Sequence, residues 1–79
     1  MKSVKIQLAT IKDVQRFIQT VTTFDMDIDL SSGRYVVDAK SIMGIFSLDL
    51  MNPIMLTSHS DSDDENAKLF EVLKDYIVE

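Results

Sequence analysis

FDMDIDLSSGRYVVDA, residues 24–39, sets Met26, Ile28 and Leu30 in strict alternation with Asp25, Asp27 and Asp29. Period-two alternation marks a strand with one face on a core and the other in water. Ser31-Ser32-Gly33-Arg34 supplies the chemistry of a tight hairpin, since glycine enters the positive-φ conformations such turns need, and Tyr35 to Ala39 follow as a second strand. Strands joined by so short a turn are antiparallel neighbours. One-sided strands of this kind call for helices covering a single face of an antiparallel sheet, not the double cover of a parallel one.

The flanking segments extend that pattern. Upstream, Val4, Ile6 and Leu8 alternate as another strand; Thr10 then stands before Ile11, Val14, Phe17 or Ile18, and Val21 at helical spacing. Asp13, three residues after Thr10, completes a start resembling a capping box, so a helix is predicted from about Ile11 to Thr23. Downstream, Ser41 is a natural N-cap for a short helix with Ile42, Ile45, Phe46 and Leu48 as apolar positions. Gly44 inside it lowers its intrinsic stability, so tertiary packing must hold it. Asn52-Pro53 breaks the chain, and Ile54, Leu56 and Ser58 alternate with Met55, Thr57 and His59 as a fourth strand. Ser62 and Glu65 repeat the capping spacing, and Leu69, Val72, Leu73, Tyr76 and Ile77 form the apolar stripe of a last helix. The predicted order is β-α-β-β-α-β-α: an α+β, open-faced sandwich with a four-stranded antiparallel sheet, three helices on one face and the other face wet. No repeat or linker interrupts residues 1–79, which are expected to form a single domain.

Composition narrows the function. The 79 residues carry 8 basic and 13 acidic side chains, net charge −5, 46% hydrophobic residues and no cysteine. Disulfide scaffolds and cysteine zinc sites are excluded, and a chain this short buries only ~60 to 70% of its unfolded surface, leaving little room for an enclosed enzyme cleft. The acidic balance argues against a nucleic-acid surface, which needs clustered Lys and Arg. Met1 to Gln7 alternate polar and apolar residues instead of running into an apolar stretch, so neither a signal peptide nor a membrane anchor is expected, and the cytoplasm is the expected location. Asp25, Asp27 and Asp29 have calcium-loop spacing, but Leu30 stands where that loop needs glycine and Val36 where it needs glutamate. Asp61, Asp63, Asp64 and Glu65 sit where a helix dipole favours acidic groups. No metal site, cofactor or enzymatic activity is expected, and no nucleotide motif or nucleophile triad occurs. His59, the single histidine, reads as an exposed strand residue remote from the helix that follows Thr10.

The segment KSIMGIFSL, residues 40–48, resembles the regulatory-serine motif of the HPr family, small phosphocarriers of the bacterial sugar phosphotransferase system. Gln19-Thr20, Phe24-Asp25, the Gly33 hairpin and Asp64-Glu65 are similar to that family at the corresponding spacing, and the fold the resemblance implies is the order read above. The departure lies at LATIKDV, residues 8–14. HPr proteins carry the phosphoryl group on a histidine here, in a Gly-Ile-His-Ala-Arg-Pro-Ala type motif, and Thr10 occupies that position. Imidazole is nucleophilic near neutral pH and gives a high-energy phosphoramidate, whereas a threonine hydroxyl is a weak nucleophile and gives a stable phosphoester. Lys12 keeps the charge of the family's arginine without its planar fork, and Asp13 puts a negative charge where the family has proline. The chain is thus similar to histidine-lacking, catabolite-repression HPr variants.

The resemblance implies that Ser41 is the serine phosphorylated by an ATP-dependent HPr kinase. A helix N-terminus favours phosphate, and the modification adds about −1.5 to −2 charges beside Lys40. Ser41 also serves as an N-cap worth about 1 kcal/mol, and the two roles are compatible. The short helix cannot bury Ile42, Met43, Ile45, Phe46 and Leu48 together, so some are expected at the surface; the other arrangement folds Met43 and Phe46 inward. By resemblance, Thr10, Lys12, Gln15, Gln19, Lys40, Ser41, Met43, Phe46 and Ser47 line one docking surface. The implied partners are proteins: HPr kinase, a transcriptional regulator or phosphotransferase-system enzymes. The expected function is a regulatory protein-binding module controlled at Ser41. An unconventional phosphocarrier using Thr10 or another group, and an HPr-fold interaction domain without phosphorylation, remain as alternatives.

Overall fold

In the computed structural model, which describes residues 1–78, the elements run β1 (Lys2–Ile6), α1 (Ile11–Val21), β2 (Ile28–Ser32), β3 (Tyr35–Asp38), α2 (Ile42–Phe46), β4 (Ile54–Ser58) and α3 (Asp63–Val72). This is the expected order, and the four strands form one antiparallel sheet ordered β1-β4-β2-β3. Ile6, Ile28, Leu30, Ile54 and Leu56 from the strands meet Val14, Phe17, Val21, Ile45, Leu69 and Leu73 from the helices in one buried cluster. All three helices therefore cover the same sheet face. The opposite face carries Lys5, Asp29 and the Ser3–Thr57 hydroxyl pair, whose oxygens are 2.9 Å apart.

Two loop residues, Gly33 and Arg34, join β2 and β3, with Ser32 paired to Tyr35. Gly33 has φ +60° and is the only described residue with positive φ, the signature of a type II′ turn whose twist matches the strands. The preceding strand begins at Ile28, not at Phe24. Its pairing with β4 starts at Ile28 opposite Ser58, so Asp25 and Met26 lack a ladder partner and lie in the connection, although Met26 keeps its buried parity. Helix α1 stops at Val21, before the expected Thr23. The hydroxyls of Thr22 and Thr23 donate to the carbonyls of Gln19 and Thr20, satisfying acceptors left free at a helix end.

The end of the chain departs most from expectation. Helix α3 finishes at Val72, which is 51% exposed, while Leu69 and Leu73 are buried. Tyr76 and Ile77 leave the helix for the outer edge of β1: Gln7 N–H donates to the Tyr76 carbonyl at 2.8 Å, Val78 N–H donates to the Lys5 carbonyl at 3.0 Å, and Ile6 and Ile77 form a bridge. Unpaired backbone groups along an edge strand attract such pairing. Tyr76 also meets Phe17 edge-on, with ring centroids 6.3 Å apart.

Asn66 and Ser58 are buried polar residues inside otherwise apolar surroundings. Ser58 Oγ donates to Asn66 Oδ1 at 2.5 Å, and Asn66 Nδ2 donates to the Ser60 carbonyl at 3.2 Å, tying the first turn of α3 to the end of β4.

Candidate functional site

Thr10 enters α1 in an extended conformation, φ −134° and ψ 166°, so that Oγ1 accepts the Asp13 N–H at 3.1 Å. The Asp13 carboxylate reaches back and accepts the Ala9 N–H at 3.1 Å, one residue earlier than in a standard capping box. Burial of Val14, Phe17 and Val21 fixes the rotation of α1 and leaves Thr10, Lys12, Gln15 and Gln19 exposed. Ile11, expected on the apolar stripe, is instead exposed: the first buried residue of the helix is Val14.

Ser41 caps α2 in the same manner, its Oγ accepting the Gly44 N–H at 3.1 Å. Gly44 is explained by close approach. A Cβ there would lie 3.0 Å from the Cβ of Val37 on β3 and 3.3 Å from Ser41 Oγ, so glycine lets α2 sit directly on the strand. Ile45 and Leu48 point into the core, whereas Met43 is 78% and Phe46 46% exposed, and Ile42 is exposed beside them. The five-residue helix thus buries one side only. Ser47 ends it, donating its hydroxyl to the Gly44 carbonyl at 2.6 Å. Lys40 is half-buried; its Nζ donates to the Phe24 carbonyl at 2.6 Å, bracing the connection after α1, and its N–H donates to the Asp38 carboxylate at 2.8 Å.

Met51 adds an exposed apolar side chain that sequence reasoning missed. Gln7 Nε2 donates to the Met51 carbonyl at 3.1 Å, holding this turn against the chain that leads into α1. An apolar residue in the polar turn between Asp49 and Pro53 was the available signal. Ile11 offered none, because at the first helical position its spacing to Val14 is that of a core residue.

The single histidine lies elsewhere. His59 follows the last residue of β4 and is not an isolated strand residue: its Nε2 is 2.6 Å from Asp29 Oδ2. Asp29 alternates with buried Ile28 and Leu30, so the pair occupies the wet face and the sheet stands between it and α1. His59 is therefore not positioned to reach the Thr10 hydroxyl at the start of α1. Among the described residues no group of three or more His, Cys, Asp or Glu side chains is arranged to hold a metal ion. No described helix is long and apolar enough to cross a membrane.

The model of the PTS HPr component phosphorylation site matches residues 11–78, beginning one residue after Thr10. No curated protein sequence matches the chain. Among solved structures, HPr-C-His from Thermoanaerobacter tengcongensis is 28% identical, with 94% of this chain and 92% of that one covered and a TM-score of 0.75. Phosphocarrier protein HPr from Bacillus anthracis is 31% identical over 98% and 94% of the two chains, with a TM-score of 0.70. Crh, the catabolite repression containing protein of Bacillus subtilis, is 23% identical over 94% and 88%, with a TM-score of 0.65, a likeness of fold.

Proposed function

The chain belongs to the HPr family of the phosphotransferase system, and from that membership we propose a regulatory, non-enzymatic protein-binding module whose contacts are set by phosphorylation of Ser41. The observation that carries this reading is the pairing of a serine N-cap with the exposed side of α2 directly behind it, Met43 and Phe46. A phosphate on Ser41 would add about two negative charges next to apolar side chains suited to a partner, changing which surface docks while the cap amides remain available to its oxygens. Thr10, Lys12, Gln15, Gln19, Lys40 and Ser47 complete the proposed surface, and exposed Ile11 and Met51 extend it. Lys40 contributes by bracing the segment before α2, since its ammonium is engaged by the Phe24 carbonyl.

Thr10 in the position of the family's histidine supports a role without phosphate carriage. Its Oγ1 is committed to the Asp13 N–H and the nearby carboxylate to Ala9, so the start of α1 is built for capping. The proposed setting is a single domain in the bacterial cytoplasm, with HPr kinase and a transcriptional regulator or phosphotransferase-system enzyme as partners. Intact-mass spectrometry after parallel incubations with ATP plus HPr kinase, and with phosphoenolpyruvate plus Enzyme I, tests it. One phosphate from ATP, lost in Ser41→Ala, is expected. A phosphate from phosphoenolpyruvate, lost in Thr10→Ala, would restore the carrier role, and no phosphate from either donor would leave an unmodified interaction domain.

A further inference from the structure

The two ends of the sheet are treated differently. The outer edge of β1 is covered near Lys5 to Gln7 by the C-terminal segment, whereas β3 ends the sheet with nothing paired to its outer side among the described residues. The Ala39 N–H donates to the Ile28 carbonyl at 2.9 Å, which fixes the hydrogen-bonding phase of the hairpin. Counting back by two, the backbone groups of Val37 and Tyr35 also face β2, and those of Val36 and Asp38 face outward. The Asp38 carbonyl is taken by the Ser41 N–H, leaving both groups of Val36 and the N–H of Asp38 free.

The side chains mark the edge further. Val36 is 63% exposed, and Arg34 makes no hydrogen bond or ion pair among the described residues. Asp38 stands directly opposite Asp29, an unfavourable like-charge pair. His59 relieves Asp29, and only a backbone N–H reaches the Asp38 carboxylate. Natural edges are blunted by shortness, charge, proline or a bulge; β3 is four residues long and ends on the charged Asp38, but carries no proline or lysine and keeps an unbroken register with β2.

We propose that a second copy of this chain pairs with β3, antiparallel about a two-fold axis at Val36, joining two sheets edge to edge. In that register Val36 faces Val36 of the second copy and exchanges both backbone bonds with it. Each Asp38 N–H donates to the Arg34 carbonyl of the other copy, and each Arg34 guanidinium lies across from the other copy's Asp38. The sequence around Val36 is therefore self-complementary in charge, which is why a second copy fits where an arbitrary strand would not. The strand and its turn carry one charge of each sign, Arg34 and Asp38, in a chain of net charge −5.

An interface of one short strand is small, and a dissociation constant on the order of 0.1 mM is expected. Sedimentation velocity from about 0.01 to 1 mM spans that value, and the expected result is a rapidly reversible monomer–dimer equilibrium. Val36→Lys sets two ammonium groups against each other at the axis and is expected to weaken the dimer at least ~100-fold without unfolding an exposed position. Arg34→Glu alone and Asp38→Arg alone each create two like-charge pairs and are expected to be monomeric. Their equimolar mixture restores both ion pairs and is expected to dimerise. Monomer alone at the highest concentration would overturn the proposal, as would a dimer indifferent to Val36→Lys. A dimer lost in Val36→Lys but not recovered by mixing the charge variants would overturn the register.

Discussion

At Thr10 and at Ser41 a side-chain oxygen accepts the N–H three residues ahead, and alanine at either position removes that acceptor. Each change is expected to lower stability by about 1 kcal/mol in urea denaturation, and only Ser41→Ala should also abolish labelling from ATP. Asn66 is a more demanding case, because it is buried and is held by Ser58 and Ser60. Asn66→Ala leaves the Ser58 hydroxyl in the core without its amide partner and is expected to cost about 2–3 kcal/mol. If the loss reflects that hydroxyl, Asn66→Ala should cost markedly less in a Ser58→Ala background, and a double-mutant cycle reads the difference.

Helix α2 owes its existence to its seat on β3 more than to its own residues. Gly44→Ala improves helix propensity by about 1 kcal/mol but drives a Cβ onto that of Val37, where overpacking costs about 1–3 kcal/mol, so net destabilisation of about 1 kcal/mol is expected. Met43→Ala and Phe46→Ala change the exposed side of the same helix. Met43→Ala should alter stability by less than about 0.5 kcal/mol, while both should weaken capture of the regulatory partner, measured by titration calorimetry. Alternation made β1, β2 and β4 legible in the sequence, the Gly33 turn implied β3, and hydroxyl caps at Thr10, Ser41 and Ser62 announced all three helix starts. Helix ends were harder. Tyr76 and Ile77 keep helical spacing by coincidence, and nothing local reveals that the edge of β1, about seventy residues away, draws them out of the helix. The same limit hid the Asn66–Ser58 bond, since a polar residue on a helix reads as solvated until its neighbour across the core is known. At the candidate site, the cap at Ser41 and the surplus of apolar residues on α2 could be read directly, whereas the anchoring of the Met51 turn by Gln7 could not, because it joins residues 44 apart in the chain.

For the molecule as a whole, a net charge of −5 on so small a body means that compaction works against self-repulsion. Raising sodium chloride from about 0.05 to 0.5 M shortens the Debye length from roughly 14 to 4 Å and is expected to raise the urea midpoint, while Asp25→Asn, which removes an exposed acidic charge, should reduce that gain. The sheet order carries a kinetic counterpart. Strand β1 pairs with β4, about fifty residues further on, and not with the β2–β3 hairpin that is made in between. A growing polypeptide on the ribosome can thus form α1 and the hairpin early, but its opening strand must wait, partnerless, until residues 54–58 have emerged. Synthesis, not only thermodynamics, then decides how long Val4 and Ile6 stay open to chaperones and to neighbouring nascent chains.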